Sequence, residues 1–245
     1  MLPARYIVTG AARRGGAAIA RCLHDSGARV VIHCRAASQP EAAALCASLN
    51  QRRSGSAEWW IADLGSDFDA PPFADDVRGI VANASEFTPS TLQRFEATLH
   101  RDLSTHLTGH LRLIRHCLPS LRQQQGAIVA VGDIHLHRPN RGYLTYHIAK
   151  NALVGAMQAL AVELAPDVRV NTVMPGPFDW PSHPNRFNDQ EKQRILAAVP
   201  LSRQGHFDEL GRAVRFLLCE ATYTTGTLFP IDGGLSLRME GDIEA

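Results

Sequence analysis

The sequence predicts an α/β protein built on one parallel β-sheet with helices on both faces. Short runs of β-branched and other apolar residues recur along the 245-residue chain, and longer segments with apolar positions three and four apart separate them. Apolar strands that alternate with helices are typical of a parallel sheet covered on both sides. Right-handed crossovers between such strands give a doubly wound, Rossmann-type architecture.

Five strands and four helices are predicted in this order along the chain. The strands lie at 6–8, 30–32, 79–81, 127–130 and 168–171, and the helices at 14–27, 39–53, 89–121 and 143–165. The length and the globular balance of 45% apolar and 20% charged residues indicate one domain, at 1–245. Residues 176–190 are rich in Pro, Asn and Asp and predict a long loop. Because long loops in compact domains are often lids, we place a substrate lid at 176–199.

The charge pattern narrows the class of partner. The formal net charge is +1 and no stretch gathers five like charges, so the sequence lacks the surface of a nucleic-acid or membrane-surface binder. No segment has the length and apolarity of a membrane span, and the first residues do not resemble a signal peptide. Five scattered cysteines favour reduced thiols. We therefore expect a cytoplasmic protein whose partner is a small molecule.

A glycine-rich turn follows the first predicted strand. Residues 9–16 read TGAARRGG, and Gly10, Gly15 and Gly16 allow the backbone to approach a pyrophosphate at the start of the next helix. A turn in this place of a βαβ unit favours dinucleotide binding over a purely structural role.

The end of the second strand indicates which dinucleotide is bound. His33, Cys34 and Arg35 stand there, without the carboxylate that would bind the ribose hydroxyls of NAD. Arg14 and Arg35 could instead hold a 2′-phosphate between them, so NADPH is the predicted cofactor. The alternative is that both arginines are solvated surface residues.

A tyrosine and a lysine supply the catalytic signal. Tyr146 and Lys150 are four residues apart on a predicted helix and therefore share a face. The lysine ammonium can stabilise the phenolate and lower the tyrosine pKa, so that Tyr146 serves as a proton donor. Such pairs are common by chance, and the weight of this one comes from its place downstream of a cofactor turn.

With these motifs in place, nearly the whole chain resembles the short-chain dehydrogenase/reductase family, and within it the pteridine reductases, including their bacterial members. Three departures from the general family pattern carry the closer resemblance. They are Arg14 in place of the second glycine of TGxxxGxG, the segment Asn83-Ala84-Ser85-Glu86-Phe87 in place of NNAG, and Asp133 in place of the catalytic serine.

The resemblance implies roles for a larger set of residues. The catalytic residues would be Asp133, Tyr146 and Lys150. Cofactor contacts would come from Gly10, Arg14, Gly15, Gly16, His33, Cys34, Arg35, Asp63, Leu64, Asn83, Ala84, Ser85, Tyr146, Lys150, Pro175 and Gly176. Substrate contacts would come from Arg14, Ser85, Phe87, Asp133, Tyr146 and Trp180, with Phe87 stacked on a pterin ring. A homotetramer or dimer built on the long helices is also implied.

The predicted reaction is hydride transfer from NADPH to a C=N bond of a dihydropterin, dihydromonapterin or dihydrofolate, with the nitrogen protonated by Tyr146. One alternative is a carbonyl reductase of 3-oxoacyl, quinone or polyol substrates. Asp133 disfavours it, because an ionised carboxylate cannot donate a hydrogen bond to a carbonyl. The other is a non-catalytic dinucleotide-sensing module, against which the Tyr146–Lys150 pair counts.

Some positions depart from the family pattern. Ala82 and Gly15 replace more usual residues, and His106 stands where many members carry a helix asparagine that supports a proton relay. The histidine pairs 106/110 and 135/137 come without a third ligand at a recognisable spacing, so no metal is predicted.

Overall fold

The computed structural model describes residues 3–136, 139–180 and 188–237. Within them, seven strands form one sheet: β1 Arg5–Val8, β2 Arg29–Cys34, β3 Ala57–Ile61, β4 Gly79–Ala82, β5 Ala127–Val131, β6 Arg169–Pro175 and β7 Leu228–Ile231. All neighbours are parallel, in the order β3-β2-β1-β4-β5-β6-β7. The order reverses between β1 and β4, and in such sheets ligands bind beyond the carboxyl ends of the strands at this point.

Seven α-helices accompany these strands in the described part of the chain: α1 Arg14–Asp25, α2 Gln39–Arg52, α3 Glu96–Leu103, α4 Gly109–Gln123, α5 Leu144–Glu163, α6 Asp189–Ala198 and α7 Phe207–Cys219. One core contains Ile19 of α1, Leu45 of α2 and Val214 of α7. A second core contains Leu113 of α4 and Leu153 of α5. Helices therefore cover both faces of the sheet, and the predicted fold class is confirmed. None of the helices described is long and apolar enough to cross a membrane.

The elements that the sequence analysis missed are β3, β7, α6 and α7. Both strands lie at the edges of the sheet. Trp59 and Ile61 of β3 are partly exposed, and β7 contains Pro230, so neither strand shows the continuous apolar run of a central one. Helix α7 does carry a signal, because its buried Leu210, Val214 and Leu217 are three and four residues apart.

The predicted continuous helix at 89–121 is wrong at its start and in its middle. Ser90 pairs with Tyr143 as an isolated β-bridge, and helix α3 begins only at Glu96. A π-helical turn, Ser104–Thr108, then separates α3 from α4. Gly109 lets the helix approach the loop after β3, because a Cβ there would lie 2.2 Å from Leu64 O. Such π turns are frequent at functional sites, and this one lies beside the carboxyl end of the sheet.

The predicted lid is only partly a loop. Phe178 forms a β-bridge with Gly205, and residues 181–187 lie outside the described part. Helix α6 then occupies most of the remainder, started by a capping box between Asn188 and Glu191. The lid role itself stays a prediction.

Candidate active site

The glycine-rich turn after β1 lies at the crevice beyond the carboxyl ends of β1 and β4, where the strand order reverses. The turn has little space for side chains. Gly10 has a φ of +62°, and a Cβ on it would lie 2.8 Å from Ala84 Cα. A Cβ on Gly16 would lie 2.4 Å from Gly10 O. A Cβ on Gly15 would lie 3.2 Å from the Leu210 side chain and 3.3 Å from that of Phe207. The turn thus brings bare backbone and the N-terminus of α1 to the crevice, which suits a pyrophosphate.

Thr9, which the sequence analysis did not single out as a site residue, connects this turn to the loop after β4. Its hydroxyl accepts hydrogen bonds from the backbone N–H groups of Asn83 and Ala84, at 2.8 and 2.9 Å. His110 Nε2 lies 3.0 Å from the same hydroxyl, and His110 Nδ1 lies 2.9 Å from His106 O. Burial lowers the pKa of His110 to about 4, so the ring is neutral. The two loops are thereby tied to the π turn of the helix.

His106 is also buried and bonded to backbone. Its Nδ1 lies 2.8 Å from Asp102 O, so Nδ1 is the donor, and Nε2 accepts from Glu86 N at 3.2 Å. The Ser85 hydroxyl lies 2.9 Å from Nε2. Burial, with the nearby Lys150 charge, lowers the pKa of His106 to about 4. Nε2 therefore contacts the loop that carries Ser85, while Nδ1 is bonded to the helix that carries His106, and a relay through this ring stays a prediction.

Arg14 contacts the start of the predicted lid. Its guanidinium donates to Asp179 O at 2.8 Å and to Trp180 O at 3.2 Å. It also lies over the ring of Phe207, 5.0 Å from the centroid. The structure therefore joins Arg14 and Trp180, two of the predicted substrate contacts, through the Trp180 backbone.

Arg35 forms an ion pair with Glu86, and Arg101 binds the other carboxylate oxygen of Glu86 at 2.7 Å; the two arginine side chains are exposed, but that of Glu86 is only 14% exposed. Arg14 and Arg35 therefore have different partners in this structure, and their joint binding of a 2′-phosphate stays a prediction. Arg13, which the sequence analysis did not select, donates to Ser38 Oγ at 3.1 Å, in the loop that begins with Arg35.

The side chains at the ends of β2 and β3 are mostly part of the core. His33 Nδ1 accepts from Gly10 N at 3.1 Å and Nε2 lies 3.1 Å from Ala62 O. Burial lowers the pKa of His33 to about 4. Cys34 and Leu64 are buried. These three predicted cofactor contacts are therefore buried residues, and the His33 ring has protein partners on both nitrogens.

Two further predicted cofactor contacts lie in turns. Asp63 Oδ1 accepts from Gly65 N at 2.9 Å. On the other side of the switch point, Gly176 follows Pro175 at the end of β6 and donates to Ile231 O at 3.0 Å. A Cβ on Gly176 would lie 2.8 Å from Asp232 Cα, so the turn depends on glycine.

The predicted catalytic residues lie together beyond β5. The Tyr146 hydroxyl donates to Asp133 Oδ2 at 2.7 Å, and Lys150 Nζ donates to Val131 O at 2.8 Å. Lys150 Nζ lies 5.9 Å from the centre of the Tyr146 ring. Burial lowers the pKa of Lys150 to about 8, although the negative charge of Asp133 opposes the shift.

Asp133 stays ionised despite being largely buried. Burial alone would raise its pKa, but hydrogen bonds from His135 and Tyr146 outweigh that effect and lower the pKa. Both His135 N and His135 Nδ1 lie 2.8 Å from Asp133 Oδ1. Asp133 is therefore an acceptor for Tyr146, where a serine would be a donor as well.

Phe87 belongs to an aromatic group at the crevice. It stacks on Tyr143 with ring centres 3.9 Å apart and an interplanar angle of 21°. It also meets Tyr146 edge to face, at 4.6 Å. Sequence reasoning missed Tyr143, although its place three residues before Tyr146 on the same helix start was a usable signal.

Among the residues described, no group of three His, Cys, Asp or Glu side chains is arranged to hold a metal ion. His106 and His110 have separate partners, as given above. The pair of His135 with residue 137 extends beyond the described residues.

A doubly wound parallel sheet, a glycine-rich turn at its switch point and a tyrosine–lysine pair beyond β5 define a dinucleotide-dependent oxidoreductase. The family model described as enoyl-(acyl carrier protein) reductase matches residues 10–236. The chain belongs to the short-chain dehydrogenase/reductase family, as its motifs predict.

Relatives support the family across the full chain. The 3-oxoacyl-[acyl-carrier-protein] reductase of Vibrio cholerae is 32% identical over 236 residues, which cover 94% of this chain and 96% of that protein. An uncharacterized oxidoreductase of Bacillus subtilis, YmfI, is 32% identical over 236 residues, covering 93% and 97%. The crystal structure of FolM alternative dihydrofolate reductase 1 from Brucella suis, in complex with NADP, matches with a TM-score of 0.87 at 31% identity, covering 100% of both chains.

Proposed function

We propose that this protein is an NADPH-dependent reductase that transfers hydride to a C=N bond of a pterin, of the dihydropterin, dihydromonapterin or dihydrofolate class. The observation that carries the proposal is the 2.7 Å hydrogen bond from Tyr146 to the Asp133 carboxylate. An acceptor-only carboxylate suits a ring that presents N–H groups, and it suits a carbonyl oxygen poorly. The similarity to the Brucella suis FolM structure supports the same reading.

The cofactor proposal rests on the turn and on the arginines. NADPH supplies the hydride when it is bound. Gly10 and Gly16 let the turn pack tightly against its protein neighbours, and its backbone N–H groups at the start of α1 would bind the pyrophosphate. Arg35 would bind the 2′-phosphate, with Arg13 nearby through Ser38.

Protonation would be the task of the three residues beyond β5. The Tyr146 hydroxyl would give its proton to a ring nitrogen, and the Lys150 ammonium would stabilise the phenolate that remains. Asp133 would hold the hydroxyl in place until substrate arrives. The rings of Phe87 and Tyr143 would offer an aromatic wall to a flat heterocycle.

A carbonyl reductase is the second candidate, and the observation in its favour is the 32% identity to the 3-oxoacyl-[acyl-carrier-protein] reductase of Vibrio cholerae. The cofactor chemistry would be the same in both cases. The two candidate functions need different residues at position 133. A carbonyl reductase would use the serine of the general family there, and this chain has Asp133.

The test is NADPH consumption with a panel of dihydropterins, dihydrofolate, quinones and 3-oxoacyl thioesters. We expect turnover of a pterin, and we expect Asp133→Ser to lower it by about tenfold or more while NADPH affinity is kept. Asp69→Ser, at an exposed loop position outside both the catalytic and the predicted cofactor residues, is the matched control for loss of a carboxylate. Strong native activity on a 3-oxoacyl or quinone substrate, with pterin turnover indifferent to Asp133→Ser, would favour the carbonyl reductase.

The proposed enzyme would act as one domain closed by the lid at 176–199, and as a homotetramer or dimer packed through α4 and α5. Val162 of α5 is 81% exposed, which a subunit contact would cover. Light scattering on the purified protein gives the mass, and a monomer at assay concentration would remove this part of the proposal.

A further inference from the structure

The two oxygens of the Asp133 carboxylate have different partners. Oδ2 accepts the Tyr146 hydroxyl at 2.7 Å. Oδ1 accepts from the backbone N–H and from Nδ1 of His135, both at 2.8 Å. The Asp133 side chain is 17% exposed and that of His135 is 34% exposed, so both partners of this contact are largely buried and the imidazole is the more exposed of the two.

The contact matters because a carboxylate can rotate about its last torsion, which is soft. The backbone bond forms an Asx turn, which places Oδ1 over the short helical turn that begins at Ile134. The Nδ1–H donor adds a second bond to the same oxygen. Together these two bonds to Oδ1 leave Oδ2 directed at Tyr146. Because the acceptor is an ionised carboxylate, the hydrogen bond from the imidazole is stronger than one between two neutral groups.

The other charged and titratable groups near Asp133 do not fix the orientation of its carboxylate. Lys150 acts on Asp133 through its charge, but its ammonium donates to Val131 O. His147 accepts from Asn140 N through Nε2. Within the described part of the chain, His135 is the side chain that shares the Asp133 carboxylate with Tyr146 in hydrogen bonding.

We propose that His135 is a positioning residue for the reductase reaction, and that its imidazole holds the Asp133 carboxylate in the orientation that receives the Tyr146 hydroxyl. This inference rests on the proposed function, because it assigns a further part of the same site. It makes the loop after β5, rather than the helix that carries His106, the source of support for the acid. His106 is directed instead at the Ser85 loop.

The variant test compares His135→Phe, which keeps a ring and removes the donor, with His135→Asn, whose amide can donate from nearly the place of Nδ1. We expect His135→Phe to lower kcat by about tenfold, with the KM for NADPH nearly unchanged. His135→Asn should recover kcat to within about threefold of the native enzyme. His100→Phe, at an exposed position of α3, is the matched control and should leave kcat unchanged.

A double-mutant cycle separates positioning from a merely structural role. In an Asp133→Ala background the carboxylate is gone, so His135→Phe should have little further effect on kcat. If the two effects instead multiply, or if His135→Phe keeps native kcat, His135 acts independently of Asp133 and the inference is overturned.

A spectroscopic measurement tests the contact without any substrate. Since a carboxylate only accepts, ¹⁵N NMR of the imidazole should find the Nδ1–H tautomer or the doubly protonated ring of His135 in the native protein, and Asp133→Ala should abolish that preference. An Nε2–H tautomer in the native protein overturns the inference. If the native enzyme reduces no pterin, the proposed function fails, and the cycle is then measured on the substrate that the panel identifies.

Discussion

The two halves of the candidate site differ in exposure. In the enclosed half, around Tyr146, the charged groups are buried and bonded to the fold. In the open half, at the proposed cofactor-phosphate end, they are exposed and bonded to groups that a bound phosphate would displace. Lys150 is 3% exposed and donates to the backbone of β5. The Arg35 side chain is 53% exposed and is paired with Glu86, and Arg14 is exposed and bound to lid carbonyls. If the proposed function holds, the acid is organised before substrate arrives, whereas phosphate binding would require the arginines to exchange partners.

The largest effect is expected in the enclosed half. Tyr146→Phe removes the proton donor and keeps the ring, so turnover should fall by roughly two to four orders of magnitude. NADPH affinity, measured by nicotinamide fluorescence, should stay nearly constant, because the hydroxyl is bonded to Asp133. A variant that keeps most of its activity would mean that another group protonates the substrate.

The next effect concerns the open half. NADPH should bind at least about ten times more tightly than NADH, and Arg35→Asp should narrow or reverse that ratio. Titration of both cofactors gives the two dissociation constants. Arg52→Asp, an exposed arginine paired with Asp25 on the far side of α2, is the control and should leave the ratio alone. Equal affinities in the native protein would show that Arg35 does not read the 2′-phosphate.

Raising the pH should lower the turnover of the enzyme and, through Lys150, raise the stability of the fold. The pKa of Lys150 is about 8 in the fold against an ordinary 10.5, because burial disfavours its charge. Turnover should therefore fall about tenfold by one pH unit above that pKa, as the ammonium loses its proton. Between the two pKa values the unfolded chain binds more protons than the folded one, so this group makes stability rise with pH.

The matched variant for this prediction is Lys150→Met. Its stability, followed by urea unfolding, should lack the rise that Lys150 contributes between about pH 8 and 10.5. A native pH–rate profile that stays flat across that window would contradict the assignment of Lys150.

The smallest effect sharpens the comparison between the halves. Glu86→Gln weakens the pairs with Arg35 and Arg101, so less has to be displaced when the phosphate binds. Both pairs have an exposed arginine, and if each contributes about 0.2–1 kcal/mol, as exposed pairs do, NADPH should bind up to about fivefold more tightly. NADH binding should not change. Weaker NADPH binding would instead mean that Glu86 orients Arg35 towards the phosphate.

Much of the fold could be predicted because central strands and long helices have strong local patterns. Edge strands β3 and β7 were missed, since they are buried on fewer sides and their patterns are weak. The break in the helix at 104–108 was missed for another reason. Gly109, directly after this π turn, approaches the loop after β3, and such a contact between distant parts of the chain cannot be recognised from local apolar spacing.

The sequence by itself determined the glycine-rich turn and the Tyr146–Lys150 pair, because each is a short-range pattern whose geometry follows from one turn or one helix. Asp133 in place of serine was identified through the family resemblance. Only the tertiary structure decided the partners of Arg14, of Arg35 and of the buried His110. Arg14 reaches the lid 166 residues away, and His110 reaches Thr9 across 101 residues. Such contacts depend on which loops the order of the strands brings together, and that order cannot be predicted from the spacing of residues within one segment.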